Sequence, residues 1–191
     1  VDRRQRQMCI RDRDKVLERR RGQPLALALI ALELAQRLQV PLAGVNFPGH
    51  FLLRVPGADH LLDPCGGRRL YPNDCRELLQ RQYGAHIKLS AEHLASAEPL
   101  QMFQRLSRNL RQLHLSYDDH LGALINAERV LEIGNGSAAD YLARASLYQR
   151  LECPNAERFD LEHALLLSDD PIQRLRLTER LGHLPPNTIV H

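Results

Sequence analysis

The sequence predicts an α+β fold, one helix packed on a small antiparallel sheet, followed by an all-helical region. Three observations predict it. A leucine- and alanine-rich run starts at Pro24 and continues to Leu38. Short apolar runs punctuated by Pro-Gly pairs follow it up to Leu62. From Pro99 onward the apolar positions keep helical spacing and repeat with an offset of 34 residues.

Each element has a local cause. Proline suits the first turn of a helix, where its missing N–H has no partner to lose, so the helix begins at Pro24. Leu25, Leu27, Leu29, Ile30, Leu32, Leu34, Ala35 and Leu38 make it apolar nearly all round, which predicts a central, buried helix. Gln39-Val40-Pro41 ends it. Leu42 to Phe47 reads as a strand, Pro48-Gly49 as a turn and His50 to Val55 as a second strand. Pro56-Gly57-Ala58-Asp59 makes a hairpin turn before a third strand, His60 to Asp63. Gly66-Gly67 closes the unit, and Pro72 to Tyr83 reads as a helix stopped by Gly84.

The helical region carries an internal repeat. An offset of 34 residues sets Leu113 on Leu147, Glu128 on Glu162, Leu131 on Leu165 and Ile133 on Leu167. It also sets the turn cluster Gly134-Asn135-Gly136 against Ser168-Asp169-Asp170. That period with helix–turn–helix content is the signature of tetratricopeptide repeats, and Ala127, Ala145 and Tyr148 fall where small and aromatic residues pack between paired helices. The Trp and Gly of a strong consensus are absent. The expected organisation is a core over 14–89, a linker over 90–98, a helical domain over 99–184 and a tail over 185–191.

Composition narrows the function classes. At 191 residues and 43% hydrophobic the chain has enough apolar content for a real core. It holds no run of eighteen apolar residues, so no membrane span is expected. Cys9, Cys65, Cys75 and Cys153 are scattered without CxxC pairs, which points away from a zinc site and a disulfide framework and toward a reduced, cytoplasmic protein. His60, His86, His93, His114, His120 and His163 show no metal-ligand spacing, and no metal or cofactor is expected. The net charge of +3 resides in residues 1–13, where Arg3, Arg4, Arg6, Arg11 and Arg13 outnumber Asp2 and Asp12. Met8 to Arg13 resembles the translation of a sequencing-library transposon end. The leader over 1–13 is therefore expected to be non-native, with the natural chain beginning near Asp14 and lacking its upstream part. With the basic excess confined there, nucleic acid is not an expected partner.

The remaining signals concern chemistry. The strings R-R-G-Q-P-L-A-L-A, V-N-F-P-G-H-F-L-L-R and L-L-D-P-C-G-G, with the helical tail, resemble the bacterial SirB-type proteins, which combine a transglutaminase-like core with tetratricopeptide repeats. The block F-P-G-H-F-L-L-R carries most of the likeness. The order of parts is similar to a papain-like or transglutaminase-like site: a glycine at a helix start, then His50, then Asp63. Such a site works because the base lowers the thiol pKa and the acid fixes the imidazole tautomer. Where those enzymes carry the nucleophilic cysteine, this chain has Pro24, as is typical of the SirB-type group. The resemblance implies an enzyme frame without its reaction.

His50 and Asp63 are accordingly a remnant dyad, expected to bond to one another as a structural pair, with Asp63 also capping the turn that follows it. Cys65, where the group commonly has Phe, is the one alternative nucleophile, and the inert reading of it is favoured. Arg54, Arg68 and Arg69 lie where an anion would bind, although a solvated rim is the simpler account. Two functions follow. The first is a non-catalytic adaptor whose repeats hold a protein or peptide partner, with the charged side chains between Arg105 and Arg180 setting specificity. The second is a thiol-dependent amidase or protease using His50 and Asp63 with a relocated thiol such as Cys65.

Overall fold

Proline opens both described α-helices of the first unit. The computed structural model describes residues 23–185, so the expected leader lies outside the described residues, and the chain divides at Glu98/Pro99 into two units. Helix α1 (Pro24–Arg37) starts at the proline itself, with Gln23 extended before it. It ends in a Schellman motif built on a non-glycine residue. Gln39 is left-handed at φ 56°, its N–H bonds Gln36 O at 3.1 Å, and Val40 N–H bonds Ala35 O at 2.8 Å.

Four short strands follow, β1 (Ala43–Val45), β2 (Leu52–Arg54), β3 (Leu61–Leu62) and β4 (Arg69–Leu70), in an antiparallel sheet of order β1-β2-β3-β4. Register pairs Val45 with Leu52, Arg54 with Leu61, and Leu61 with Leu70. Strand alternation puts Val45, Leu52, Leu61 and Leu70 on one face. They form a buried core with Phe47 and with Cys75 and Leu79 of helix α2 (Pro72–Tyr83). Gly44 and Leu53 point to the other face and are also buried, and α1 packs against β1 and β2.

The strands are shorter than the sequence suggests, because tight turns take the flanking residues. Phe47-Pro48-Gly49-His50 is one such turn, closed by His50 N–H to Phe47 O at 3.0 Å with Gly49 at φ +73°. Proline second and a left-handed glycine third is the type II pattern. Val55-Pro56-Gly57-Ala58 repeats it, with Gly57 at φ +84° and Ala58 N–H to Val55 O at 3.1 Å. Strand β4 escapes sequence reading because its two residues show no alternation.

One expectation needs correction. Helix α1 is not buried all round: Leu25, Ala28 and Ala35 are buried, while Leu34 and Leu38 are 51% and 72% exposed. A sheet of two- and three-residue strands covers one stripe of a helix and no more. The segment over 90–98 carries structure of its own. A 3₁₀ turn at Glu92–Leu94 leads into an isolated bridge between Ser96 and Val45, and Ala97 N–H donates to Gly44 O at 2.7 Å. Arg54 ties this segment down, donating to Leu94 O at 3.1 Å and to Ser96 Oγ at 2.6 Å.

The second unit is helical: α3 (Pro99–Ser116), α4 (His120–Ile133), α5 (Ala138–Arg150), α6 (Pro154–Leu167) and α7 (Pro171–His183). The 34-residue period of the sequence is present in its boundaries. α4 and α6 begin at His120 and Pro154 and end at Ile133 and Leu167. The turns before them also match. Asp118 and Glu152 are both left-handed, at φ 58° and 56°, in Schellman ends where Asp119 N–H reaches His114 O and Cys153 N–H reaches Tyr148 O, each at 2.9 Å. Helix starts are capped by Asp119 to Gly122 N–H, by Asp170 to Ile172 N–H, and by a Ser137–Asp140 capping box. Ala123, Ala127, Ala145 and Ala164 are all but fully buried, which allows neighbouring helices a close approach.

Candidate functional site

Pro24 occupies the first position of α1 and is exposed. It offers neither a nucleophile nor an N–H. His50 is the last residue of the type II turn rather than part of a strand, and it is half-buried. Gly49 before it is constrained twice. Its φ of +73° disfavours any side chain, and a Cβ there would collide with the Gln82 side-chain amide of α2. The turn that presents His50 is thus seated against the end of α2.

Asp63 is used by its own turn. Its Oδ1 accepts Cys65 N–H at 2.8 Å, its N–H donates to Arg68 O at 2.9 Å, and its carbonyl accepts Gly67 N–H at 2.8 Å. This is the capping role expected for Asp before Pro. Among the described residues no hydrogen bond or ion pair joins Asp63 to His50, and the His50 ring bonds no other side chain. Continuing the β2–β3 pairing, Asp63 falls opposite Leu52, two residues away from His50, and the chain then turns toward β4.

Cys65 is exposed, yet its environment works against reactivity. Partial burial of the sulfur, and then the negative charge of Asp63, push the thiol above its ordinary value of 9.0. A nucleophilic cysteine needs the opposite shift. Cys75 is buried and is pushed up in the same way, by burial first and Asp74 second. Arg54 is engaged by Leu94 and Ser96. Arg68 donates to Asp74 Oδ1 at 2.9 Å, while Asp74 Oδ2 accepts Tyr71 N–H at the start of α2. Of the three arginines expected near an anion, two are therefore occupied and Arg69 is exposed.

Sequence reasoning missed a cavity of about 170 Å³ on the α2 side of the sheet, lined by Arg54, His60, Leu61, Leu70, Cys75 and Leu94 among others. His60 Nδ1 lies 2.9 Å from Asp59 Oδ1, and that bond is the main cause holding the Asp59 carboxyl below its ordinary value. The His60 ring packs 5.5 Å from Tyr71. His60 sits only three residues from Asp63, but nothing in its spacing signals a pocket. Among the described residues no group of three or more His, Cys, Asp or Glu is placed to hold a metal. No described helix is long and apolar enough to cross a membrane.

In the helical unit the charged side chains pair inward. Arg108 grips Asp140 with bonds of 2.9 and 2.8 Å, and Arg144 grips Asp160 with bonds of 2.9 and 2.7 Å. Arg180 donates to Glu157 Oε1 at 2.7 Å. Asp140, Glu157 and Asp160 are buried. Burial alone would raise the Asp140 carboxyl, but hydrogen bonds from Arg108 and Ser137 outweigh it and lower it to about 2. Arg111 beside this pair keeps one buried, unpartnered nitrogen, Nη1. Several arginines between Arg105 and Arg180 thus serve the packing of the repeats and are not free to read a partner.

The comparisons with known proteins concern the family of the chain. The profile described as the transglutaminase-like superfamily matches residues 8–108. The chain belongs to that superfamily. Its relatives are of the UPF0162 and SirB1 type. It is 63% identical over 173 residues to UPF0162 protein PA3419 of Pseudomonas aeruginosa, covering 91% of this chain and 64% of the relative. It is 34% identical over 160 residues to a UPF0162 protein of Xylella fastidiosa, covering 81% and 57%. It is 27% identical over 166 residues to Protein SirB1 of Salmonella typhimurium, covering 85% and 62%. The chain therefore spans about three-fifths of the length of these curated relatives. No solved structure matches it.

Proposed function

We propose that this chain is a non-catalytic member of the transglutaminase-like superfamily, a cytoplasmic adaptor whose tetratricopeptide-type repeats hold a protein or peptide partner. The observation that carries the reading is Pro24. It stands at the helix start where the reaction needs a thiol, and proline has no group that can attack a carbonyl. Two further observations support it. Asp63 Oδ1 accepts the Cys65 N–H, and among the described residues no carboxylate bonds the His50 ring. The 34-residue period in helix ends and left-handed turns supports the repeat assignment.

The competing reading, a hydrolase using His50, Asp63 and Cys65, has the exposure of Cys65 in its favour. Against it stands the raised thiol, which holds less thiolate at neutral pH than an ordinary cysteine. Alkylation kinetics and turnover separate the two. The adaptor reading expects no hydrolysis of a panel of fluorogenic amides and esters. It also expects iodoacetamide to react with Cys65 no faster than with a free thiol, at the same rate in His50→Ala. Turnover that disappears in His50→Ala, or fast alkylation slowed by that change, refutes it.

A further inference from the structure

The cavity of about 170 Å³ in the first unit combines an apolar floor with a fixed cation. Its floor is the sheet core itself: Leu61, Leu70 and Cys75 are 5%, 5% and 1% exposed. Interiors pack with few voids larger than a water molecule, so open space against such residues calls for an occupant. An apolar cavity of about 150 Å³ takes a benzene ring, and this one is of that order. Arg54 stands half-buried in the lining. Its bonds to Leu94 O and Ser96 Oγ use two of the guanidinium's five N–H groups and hold it in place. Neither partner is charged, and among the described residues no carboxylate pairs with Arg54. By contrast Arg37, Arg68, Arg81, Arg108, Arg144 and Arg180 each meet an acid within 3.1 Å. Asp59 also lines the cavity, but it has partners of its own. It is bonded to His60, it lies in the field of Arg69, and its side chain is 82% exposed, so water screens it. Arg54 and Arg69 against Asp59 leave one positive charge in excess.

We propose that this cavity binds a small monocarboxylic acid with an aromatic or branched apolar body. The carboxylate meets Arg54, and the body covers Leu61, Leu70 and Cys75. Charge selects an anion. A half-buried cation with neutral partners gains most from a charged acceptor, and the remaining N–H groups of the guanidinium suit the paired oxygens of a carboxylate. Size and floor select the rest. A bare anion such as acetate would leave the apolar floor uncovered, and a nucleotide needs the roughly 300–1,000 Å³ of a larger site. Pro24, His50 and Asp63 do not line the cavity, so the site is separate from the helix start at Pro24. It does not depend on whether the first unit is catalytic.

Benzoate is the probe, added to the isotope-labelled chain and followed by the amide signals in nuclear magnetic resonance. It should shift the amides of Arg54, His60, Leu61, Leu70 and Cys75 saturably, with a dissociation constant on the order of 0.1–1 mM, the range open to a ligand of so few atoms. Benzyl alcohol, similar in size and uncharged, should bind about tenfold more weakly or worse, and so should acetate, which lacks the ring. Arg54→Gln should weaken benzoate by about the same factor and leave benzyl alcohol within about twofold. Circular dichroism establishes that the variant is folded. Should it not fold, the position of the shifts and the ratio of benzoate to benzyl alcohol decide on the wild-type chain alone. Shifts centred on Leu25 and His50, acetate or benzyl alcohol binding as tightly as benzoate, or a folded Arg54→Gln that binds benzoate unchanged would overturn the proposal. So would the absence of saturable shifts up to about 10 mM benzoate.

Discussion

Acid should weaken the helical unit through Asp140, and the size of the effect follows from its surroundings. The carboxylate is 5% exposed, accepts two bonds from Arg108, and caps α5 through Ser137. Its folded pKa of about 2 lies below the ordinary 3.8. A depressed acid contributes stability that is complete above the unfolded pKa and is lost as pH falls through the folded one. At about 1.4 kcal/mol per pH unit, the carboxylate contributes about 2 kcal/mol at neutral pH, roughly half of it gone by pH 3. Arg108 is 38% exposed, so solvent screens part of its pull and the measured value should fall at or below that figure. Urea unfolding followed by circular dichroism, on wild type and Asp140→Asn from pH 7 to pH 3, isolates the titrating group. The gap between the two proteins should hold steady down to about pH 5 and then narrow by about 1 kcal/mol. A gap that stays constant to pH 3, or widens, refutes the reasoning.

Asp160 is fully buried under Arg144, so Asp160→Ala should cost about 3–5 kcal/mol in urea unfolding by stranding a buried cation, whereas the double change Arg144→Met with Asp160→Leu should recover most of it. Gly49→Ala must force both the left-handed backbone and the Gln82 side chain, and should lower stability by about 1–2 kcal/mol in the same assay. Glu152→Gly relieves a left-handed position at the end of α5 and should gain about 0.5–1 kcal/mol, read as a raised urea midpoint with unchanged slope. His50→Gln should shift stability by less than about 0.5 kcal/mol, since no hydrogen bond between the ring and another described residue is lost; a larger fall would reveal a packing role for it.

The legible parts of this fold were those written in local chemistry. Helix α2 begins at Pro72 and stops at Gly84, as the proline and glycine require, and the Pro-Gly turns stand where they were expected. The 34-residue period reappears in helix ends because each repeat is a local unit. What sequence could not supply was pairing. Whether Asp63 meets His50 depends on strand register and on where the chain leaves β3, and continuing the register sets Asp63 opposite Leu52. The left-handed ends at Gln39, Asp118 and Glu152 were hidden for a related reason. A glycine would have marked them, whereas these residues accept the strain because the Schellman bonds around them are made. The apolar run of α1 looked buried all round because sequence counts leucines without knowing how much sheet is available to cover them.

The block F-P-G-H-F-L-L-R can now be divided by cause. Phe47 is fully buried in the sheet core, and Phe51, Leu52 and Leu53 are nearly so. Pro48 and Gly49 are set by the type II turn, and Gly49 also by the Gln82 amide where a Cβ would stand. Arg54 straps the 94–96 segment to the sheet. Seven of these eight residues are thus explained by folding alone, without reference to a reaction. His50 is the exception: its backbone closes the turn, but its ring makes no described bond that the fold requires. An inert scaffold has no need of an imidazole there. The same turn would close on any residue with a backbone N–H, so the chemistry of position 50 separates a frame kept for its shape from a frame kept for a ligand or partner that touches the ring.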